Sequence, residues 1–362
     1  MTDLELKCPA CAAPIAVGDA FCEACGAQVQ GDPAASSPGV VTADITAPVP
    51  RTVVTAETCS HCGGRILDDG FCGTCGQKAV SRRDHWSEQP APWVAGVCDK
   101  GIVHGGNEDA MALAATADRT LAILVVCDGV TSAPNSDRAS LAASLAACGH
   151  LTALSAPAAG SVAAAVSYWT DALTGAAAEA NAAAVGVAHT LGDPPEPPSC
   201  TFVAAVVAGS LITVAWCGDS RAYWLPDSGE PKLLTIDHSL GTELIAAGRS
   251  RVEAEADPIS HTITRWLGAD SVDHTPEIAS LSIDGPGWLL VCSDGLWNYA
   301  SAPEELATVL LDHGHQSGHD PLPLAVALVD WANAAGGQDN ITAALARCDP
   351  SLRLQPEGTS RG

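Results

Sequence analysis

Five short acidic segments carry the residue types that hard metal cations require. Burying a carboxylate is costly unless a partner compensates its charge, and basic residues are sparse in these segments. Oxygen ligands favour Mg²⁺ or Mn²⁺ over Zn²⁺. A single Asp-Gly pair is more often a turn, so this metal-site prediction depends on all five segments together. They are Gly106-Asn107-Glu108-Asp109, Val126-Cys127-Asp128-Gly129, Cys217-Gly218-Asp219-Ser220-Arg221, Cys292-Ser293-Asp294-Gly295 and Gly336-Gly337-Gln338-Asp339-Asn340.

A second kind of metal ligand is concentrated near the start of the chain. Eight of the fifteen cysteines form Cys-x-x-Cys pairs, arranged as two similar units with gaps of ten and nine residues between pairs. Four thiolates complete a tetrahedral zinc shell, and zinc binding supplies the folding energy that so small a unit lacks. Disulfides or redox thiols are the alternative, which the repeat disfavours. Two structural zinc ions are expected, on Cys8, Cys11, Cys22, Cys25, Cys59, Cys62, Cys72 and Cys75.

Composition divides the chain into two ribbons, two linkers, one large domain and a tail. Pro, Ala, Ser and Thr dominate residues 31–57, which predicts a flexible linker. In the large domain, strand patterns and helix patterns each occur in runs, which predicts an α+β fold with mostly antiparallel sheets. The predicted boundaries are 1–30 (zinc ribbon 1), 31–57 (linker), 58–80 (zinc ribbon 2), 81–92 (linker), 93–349 (large domain) and 350–362 (disordered tail).

Several elements of the large domain can be predicted from local pattern. A hairpin is expected at 112–127, with its turn at Ala117-Asp118-Arg119-Thr120, and alanine-rich helices at 136–153 and 160–190. Three further strands, at 200–207, 211–217 and 222–225, are expected to form a meander. The remaining predictions are a short helix at 243–247, a buried strand at 288–293, helices at 303–311 and 324–335, and a last strand at 341–346.

The charge of the chain excludes two classes of partner. The formal net charge is -25, and residues 1–90 alone hold eleven acidic and six basic residues. Such a surface repels phosphate backbones and anionic lipid headgroups, so neither nucleic-acid nor membrane binding is expected. This also disfavours ribbons that read nucleic acid. The first residues show no basic start followed by an apolar run, so a cytoplasmic location is expected.

In the order and context of its acidic segments the large domain resembles the protein phosphatase 2C family of metal-dependent serine/threonine phosphatases. The resemblance extends from about Asp99 to Asn340 and implies an αββα sandwich, in which helices flank two central sheets. Besides the acidic segments, it includes Leu234-Thr235-Ile236-Asp237-His238-Ser239, Ala246-Ala247-Gly248-Arg249 and Thr264-Arg265-Trp266-Leu267-Gly268.

The resemblance also implies a reaction and its residues. Phosphoserine and phosphothreonine in proteins would be hydrolysed by a hydroxide bridging two Mn²⁺ or Mg²⁺ ions, with Asp109, Asp128, Asp294 and Asp339 as catalytic residues. Asp128 would bridge the two cations, and Asp219 would support a third. The implied partners are phosphoproteins, a Ser/Thr kinase and its targets, with an unknown protein docking on the ribbons. The implied metal ligands are Glu108, Asp109, Asp128, Gly129, Asp219, Asp294 and Asp339.

Two departures from the family pattern favour an alternative function. His104 stands where relatives have a phosphate-binding Arg, and it cannot form the bidentate fork of a guanidinium. Val130 offers no general acid, where some relatives have a His. The alternative to an active phosphatase with docking or regulatory ribbons is therefore a phosphatase fold with weakened catalysis that serves as a binding or scaffold protein.

Overall fold

The fold is that of a computed structural model, which describes residues 6–7, 14–15, 45–46, 58–59, 62–67, 71–77, 81–154, 161–317 and 319–351. The chain divides into two compact units, Met1–Thr42 and Ala43–Gly362. In the first unit, β1 (Leu6–Lys7) pairs antiparallel with β2 (Pro14–Ile15). The cysteines predicted for zinc ribbon 1 lie outside the described residues, as does most of the predicted tail.

Two six-stranded sheets form the second unit. Their strand orders are β14-β10-β9-β7-β6-β3 and β12-β11-β15-β16-β5-β4, and all pairings within them are antiparallel. Two further short strands, β8 (Ser199–Cys200) and β13 (Leu267–Gly268), pair with each other in a separate two-stranded sheet. The strands of the two large sheets are β3 (Ile45–Thr46), β4 (His85–Ala91), β5 (Val94–Asp99), β6 (Ala110–Thr116), β7 (Leu121–Cys127), β9 (Phe202–Ala208), β10 (Leu211–Cys217), β11 (Arg221–Pro226), β12 (Lys232–Leu233), β14 (Glu277–Ser282), β15 (Gly287–Cys292) and β16 (Ile341–Cys348).

Helices cover the outer face of each sheet. The helices α1 and α2 pack on the first sheet, and α6 and α7 pack on the second. Because both faces of β7 are covered, its side chains alternate between two cores: Leu124 faces the other sheet, and Ile123 faces the helices. The predicted αββα sandwich is confirmed. The helices are α1 (Ser136–Thr152), α2 (Val162–Thr190), α3 (Leu240–Ala246), α4 (Arg251–Glu255), α5 (Asp294–Trp297), α6 (Pro303–Ser317) and α7 (Pro321–Ala335).

Three expectations from local pattern need correction. The predicted meander is wrong in its last strand, because β11 leaves the first sheet and pairs with β15 in the second. The predicted linker 81–92 contains β4, which pairs with β5 and buries Trp86 between the sheets. Within the predicted linker 31–57, Ile45 and Thr46 pair with the outer edge of β6. Local pattern gives a strand's existence, but its partner depends on long-range packing.

Antiparallel pairing brings the acidic segments to one end of both sheets. Asp109 immediately precedes β6 and Asp128 immediately follows β7, and the register pairs Ala110 with Cys127. On the second sheet, Asp294 follows β15 and Asp339 precedes β16, which pair in the same way. The helix α7 ends at Ala335, and the next residue, Gly336, has a φ of 146°, a conformation that suits glycine and starts the turn to Asp339.

Candidate active site

Asp109 lies at the centre of the acidic cluster and is completely buried. The hydroxyls of Ser293 and Thr342 donate to its Oδ2 atom at 2.6 and 2.7 Å, whereas its Oδ1 atom has no hydrogen-bond partner among the residues that the structure describes. Burial raises the pKa of Asp109 to about 7, although the two hydroxyls act in the opposite direction. A carboxylate that is half satisfied and directed into a polar cluster has a free ligand atom for a cation.

The other predicted carboxylates act on one another at short range. Burial raises the pKa of Asp128 well above its ordinary value, and the charges of Asp109, Asp294, Asp339 and Asp219 raise it further. Burial also raises the pKa of Asp294 to about 6, with Asp339 as the next cause. The structure therefore brings the predicted carboxylates together, in an arrangement that disfavours their ionised forms.

Close backbone approach explains why a glycine follows Asp128. A Cβ atom at Gly129 would lie 2.7 Å from the carbonyl oxygen of Glu108, which is closer than such atoms approach. Asn340 holds the same loop from the other side, because its Oδ1 atom accepts from the Glu108 N–H at 2.7 Å. Sequence analysis did not single out Ser293, Thr342 or Asn340 as supporting residues, although all three lie in or beside the acidic segments.

The donor set fits hard divalent cations. Buried oxygens of Glu108, Asp109 and Asp294 lack hydrogen-bond partners among the described residues. Cations would satisfy these oxygens and relieve the repulsion between neighbouring carboxylates. No three of the described carboxylates have ligand atoms all within 4.8 Å of one another.

His104 lies beside the acidic cluster. Its Nε2 atom is 3.3 Å from Asp339 Oδ1, and its side chain is 23% exposed. Lys100, four residues before His104, donates from Nζ to the carbonyl oxygen of His104 at 3.0 Å. Lys100 therefore supports the loop, and His104 is the basic side chain at the position predicted to bind phosphate.

Two cavities share one histidine that sequence analysis missed. The first cavity, of about 380 Å³, is lined by Asp219, Asn298 and His261, and the second, of about 480 Å³, by Val130, Trp266 and His261. His261 stacks on Trp297 with ring centroids 6.1 Å apart. His261 lies in the turn after α4, outside the acidic segments. Nothing in the sequence around it therefore indicated that it lies between two cavities.

The second ribbon has the geometry of a zinc site. The ligand atoms of its four cysteines all lie within 4.8 Å of one another. Backbone N–H groups of Cys75 and Thr74 lower the pKa of Cys72 to about 6, which favours the thiolate that binds metal. The four residues are Cys59, Cys62, Cys72 and Cys75.

His238 orders a loop beside the first cavity. Its Nδ1 atom accepts from the N–H of Gly218 at 3.1 Å, and its Nε2 atom is 3.2 Å from Glu277. Burial and the charge of Arg265 lower the pKa of His238 below its ordinary value of 6.5. Because the neutral form is favoured in the fold, its contribution to stability is complete above pH 6.5 and is lost as the pH falls.

We therefore expect the melting temperature to fall between pH 7 and 5 by more in the wild type than in a His238→Asn variant. The Asn side chain keeps an acceptor for Gly218 but has no titrating group. Calorimetry at the two pH values measures the difference, with His189→Asn as a control at an exposed site. Equal pH dependence in wild type and His238→Asn would contradict the assignment.

A family model described as protein phosphatase 2C matches residues 104–311, and one described as double zinc ribbon matches residues 8–76. The chain therefore belongs to the protein phosphatase 2C family. No helix in the described part of the chain has the length and apolar character to cross a membrane.

Named relatives are bacterial phosphatases. Protein phosphatase PhpP of Streptococcus pneumoniae is 38% identical over 147 residues, which are 40% of this chain and 55% of that protein. Serine/threonine phosphatase stp of Listeria monocytogenes is 34% identical over 151 residues, which are 41% of this chain and 56% of that protein. The chain thus spans about half the length of the curated relatives it matches.

Solved structures extend the similarity across nearly the whole large domain. The serine/threonine phosphatase PstP/Ppp of Mycobacterium tuberculosis matches with a TM-score of 0.56 and 26% identity, over 71% of this chain and 98% of that one. MsPP of Mycobacterium smegmatis, in complex with cacodylate, matches with a TM-score of 0.53 and 30% identity, over 70% of this chain and 97% of that one. The catalytic domain of PstP in complex with two manganese ions matches with a TM-score of 0.53 and 25% sequence identity. The match covers 71% of this chain and 98% of that one.

Proposed function

We propose that this chain is a Mn²⁺- or Mg²⁺-dependent phosphatase that hydrolyses phosphoserine and phosphothreonine in cytoplasmic proteins. The observation that carries the proposal is the cluster of carboxylates at the strand ends of a phosphatase 2C domain. In it Asp109 and Asp219 are buried, and buried oxygens of Glu108, Asp109 and Asp294 lack partners among the described residues. A cluster of this kind is costly to a protein that does not bind cations there. Its partners would be phosphoproteins, together with a Ser/Thr kinase and the targets of that kinase.

In this proposal each group of residues has a separate task. The cations, two or three in number, would be held by Glu108, Asp109, Asp128, Gly129, Asp219, Asp294 and Asp339. When bound they lower the pKa of water and stabilise negative charge at phosphorus. Ser293 and Thr342 orient Asp109, and the Asn298 amide orients Asp294 with a hydrogen bond of 3.1 Å. His104 would donate a hydrogen bond to the substrate phosphate.

Turnover by the purified full chain tests this proposal. We expect hydrolysis of a phosphothreonine peptide and of p-nitrophenyl phosphate to appear with Mn²⁺ and to vanish with chelator. An Asp294→Ala variant should be inactive, whereas Asp330→Ala, on the exposed face of α7, should match the wild type. A folded chain that binds Mn²⁺ without turnover would reject the enzyme and favour the alternative, a phosphoprotein-binding scaffold.

The presence of His104 in place of an Arg favours this alternative. A variant tests whether that difference weakens substrate binding. We expect His104→Arg to lower KM for a phosphothreonine peptide about tenfold, because a guanidinium makes a bidentate bond worth about 1.4 kcal/mol more. The measurement is steady-state kinetics at saturating Mn²⁺, with His189→Arg at an exposed site as the control. An unchanged KM would show that this position does not bind phosphate.

We further propose that each ribbon holds one structural zinc ion and that the ribbons dock or regulate through protein contacts. The close group of thiols in the second ribbon and the double zinc ribbon match support this proposal. We expect about two zinc ions per chain by elemental analysis, and about one after the double change Cys62→Ser and Cys75→Ser. Equal zinc content in the two proteins would contradict a site at these cysteines.

A further inference from the structure

Arg83 connects the segment after the second ribbon to the acidic loop. It is 9% exposed, and its Nη2 atom donates to the carbonyl oxygens of Asp109 at 2.8 Å and Asn107 at 3.3 Å. In return, Asn107 Nδ2 donates to the carbonyl oxygen of Arg83 at 2.7 Å. Three hydrogen bonds therefore join this residue to the loop that includes Glu108 and Asp109.

The same loop is held at the atoms that determine where its carboxylates point. Asn107 Oδ1 accepts from the Asp109 N–H at 3.1 Å, and Asn340 Oδ1 accepts from the Glu108 N–H at 2.7 Å. Arg83 and Asn107 thus hold one side of the loop, and Asn340 holds the other. Loss of Arg83 would free the side that carries Asp109.

The charge of Arg83 cannot itself favour cation binding at this place. Its charge and that of Asp109 are close enough to act in opposite directions on the Cys98 thiol, whose pKa burial raises to about 12. A positive charge this near a cation site opposes cation binding by Coulomb's law. The favourable contribution of Arg83 must therefore come from the geometry that its hydrogen bonds impose.

We propose that Arg83 is a positioning residue for the divalent-cation site, which makes the segment between the second ribbon and β4 part of the active site. Arg83 lies outside residues 104–311, which the phosphatase 2C model matches. The inference depends on the proposed cation site but not on turnover. Supporting residues of metal ligands typically change metal affinity by about 10- to 100-fold.

Calorimetric titration of the full chain with Mn²⁺ tests the proposal. We expect Arg83→Met to raise the Kd for Mn²⁺ at least about tenfold, and Arg83→Lys to raise it less, because one ammonium cannot replace the guanidinium geometry. KM for p-nitrophenyl phosphate at saturating Mn²⁺ should stay unchanged in both variants. Arg347→Met is the matched control: Arg347 is also buried, but it pairs with Asp227, so its loss should lower stability and leave Kd unchanged.

The outcomes separate the alternatives. An unchanged Kd in folded Arg83→Met would show a purely structural role, and a lower Kd would show that charge repulsion outweighs positioning. If Arg83→Met does not fold, Arg83→Lys decides, since a Kd equal to that of the wild type overturns the proposal. Mn²⁺ binding without turnover would reject the proposed enzyme and leave this inference intact, whereas a wild type that binds no Mn²⁺ would reject both.

Discussion

Replacing Asp128 with Asn is expected to abolish activity and at the same time to stabilise the metal-free protein. Asp128 is the carboxylate on which burial and the charges of Asp109 and Asp294 all act in the same direction. We expect kcat/KM to fall at least about 1,000-fold, since each tenfold needs only about 1.4 kcal/mol of lost charge stabilisation. In chelator at pH 8, the variant should be more stable by about 1–3 kcal/mol, because the amide removes one repelling charge.

Activity assays with Mn²⁺ and thermal unfolding in chelator measure the two effects separately. The Asp330→Asn variant, which changes an exposed residue of α7, should leave both quantities at the wild-type value. A variant that is inactive but less stable than the wild type in chelator would show that Asp128 supports the fold directly. In that case repulsion between the carboxylates would not lower the stability of the metal-free protein.

The largest effect on stability is expected at Asp237, the partner of buried Arg221. Two hydrogen bonds of 2.9 and 2.6 Å join the two side chains, which are 7% and 9% exposed, and the guanidinium lies 3.5 Å from the Trp297 ring centroid. Asp237→Asn would leave the buried Arg221 charge without its carboxylate partner, at a cost of about 3–5 kcal/mol. For a domain of this size we expect a melting temperature lower by on the order of 10 °C.

Asp227 provides a matched comparison for this ion pair. It also binds a buried arginine, Arg347, but Asp227 itself is 40% exposed, so water can compensate the charge when the carboxylate is removed. We expect Asp227→Asn to cost no more than about 1 kcal/mol. Equal losses in the two variants, measured by denaturant unfolding, would show that burial of the carboxylate does not determine the strength of the pair.

The buried Arg221–Asp237 pair also illustrates what a local pattern omits. Asp237 belongs to a segment that carried the family resemblance, yet nothing in the sequence indicates that its partner is Arg221. The pairing requires β11 to join the second sheet, whereas sequence analysis placed it in a meander with β10. Contacts between strands distant in sequence depend on which apolar faces pack together, and local propensity does not encode that choice.

The sequence by itself determined the residue types of both metal sites, the long helices and seven strands of the two large sheets, because acidic turns, Cys-x-x-Cys spacing and apolar periodicity are local signals. Those strands are β6, β7, β9, β10, β11, β15 and β16. Only the tertiary structure decided which groups support the carboxylates. Ser293, which follows β15, and Thr342, within β16, belong to the second sheet's end and bind Asp109 at the edge of the first. Arg83 comes from a segment that was predicted to be a linker. Such contacts join residues far apart in sequence, and they form only when two sheets pack face to face and bring their strand ends together.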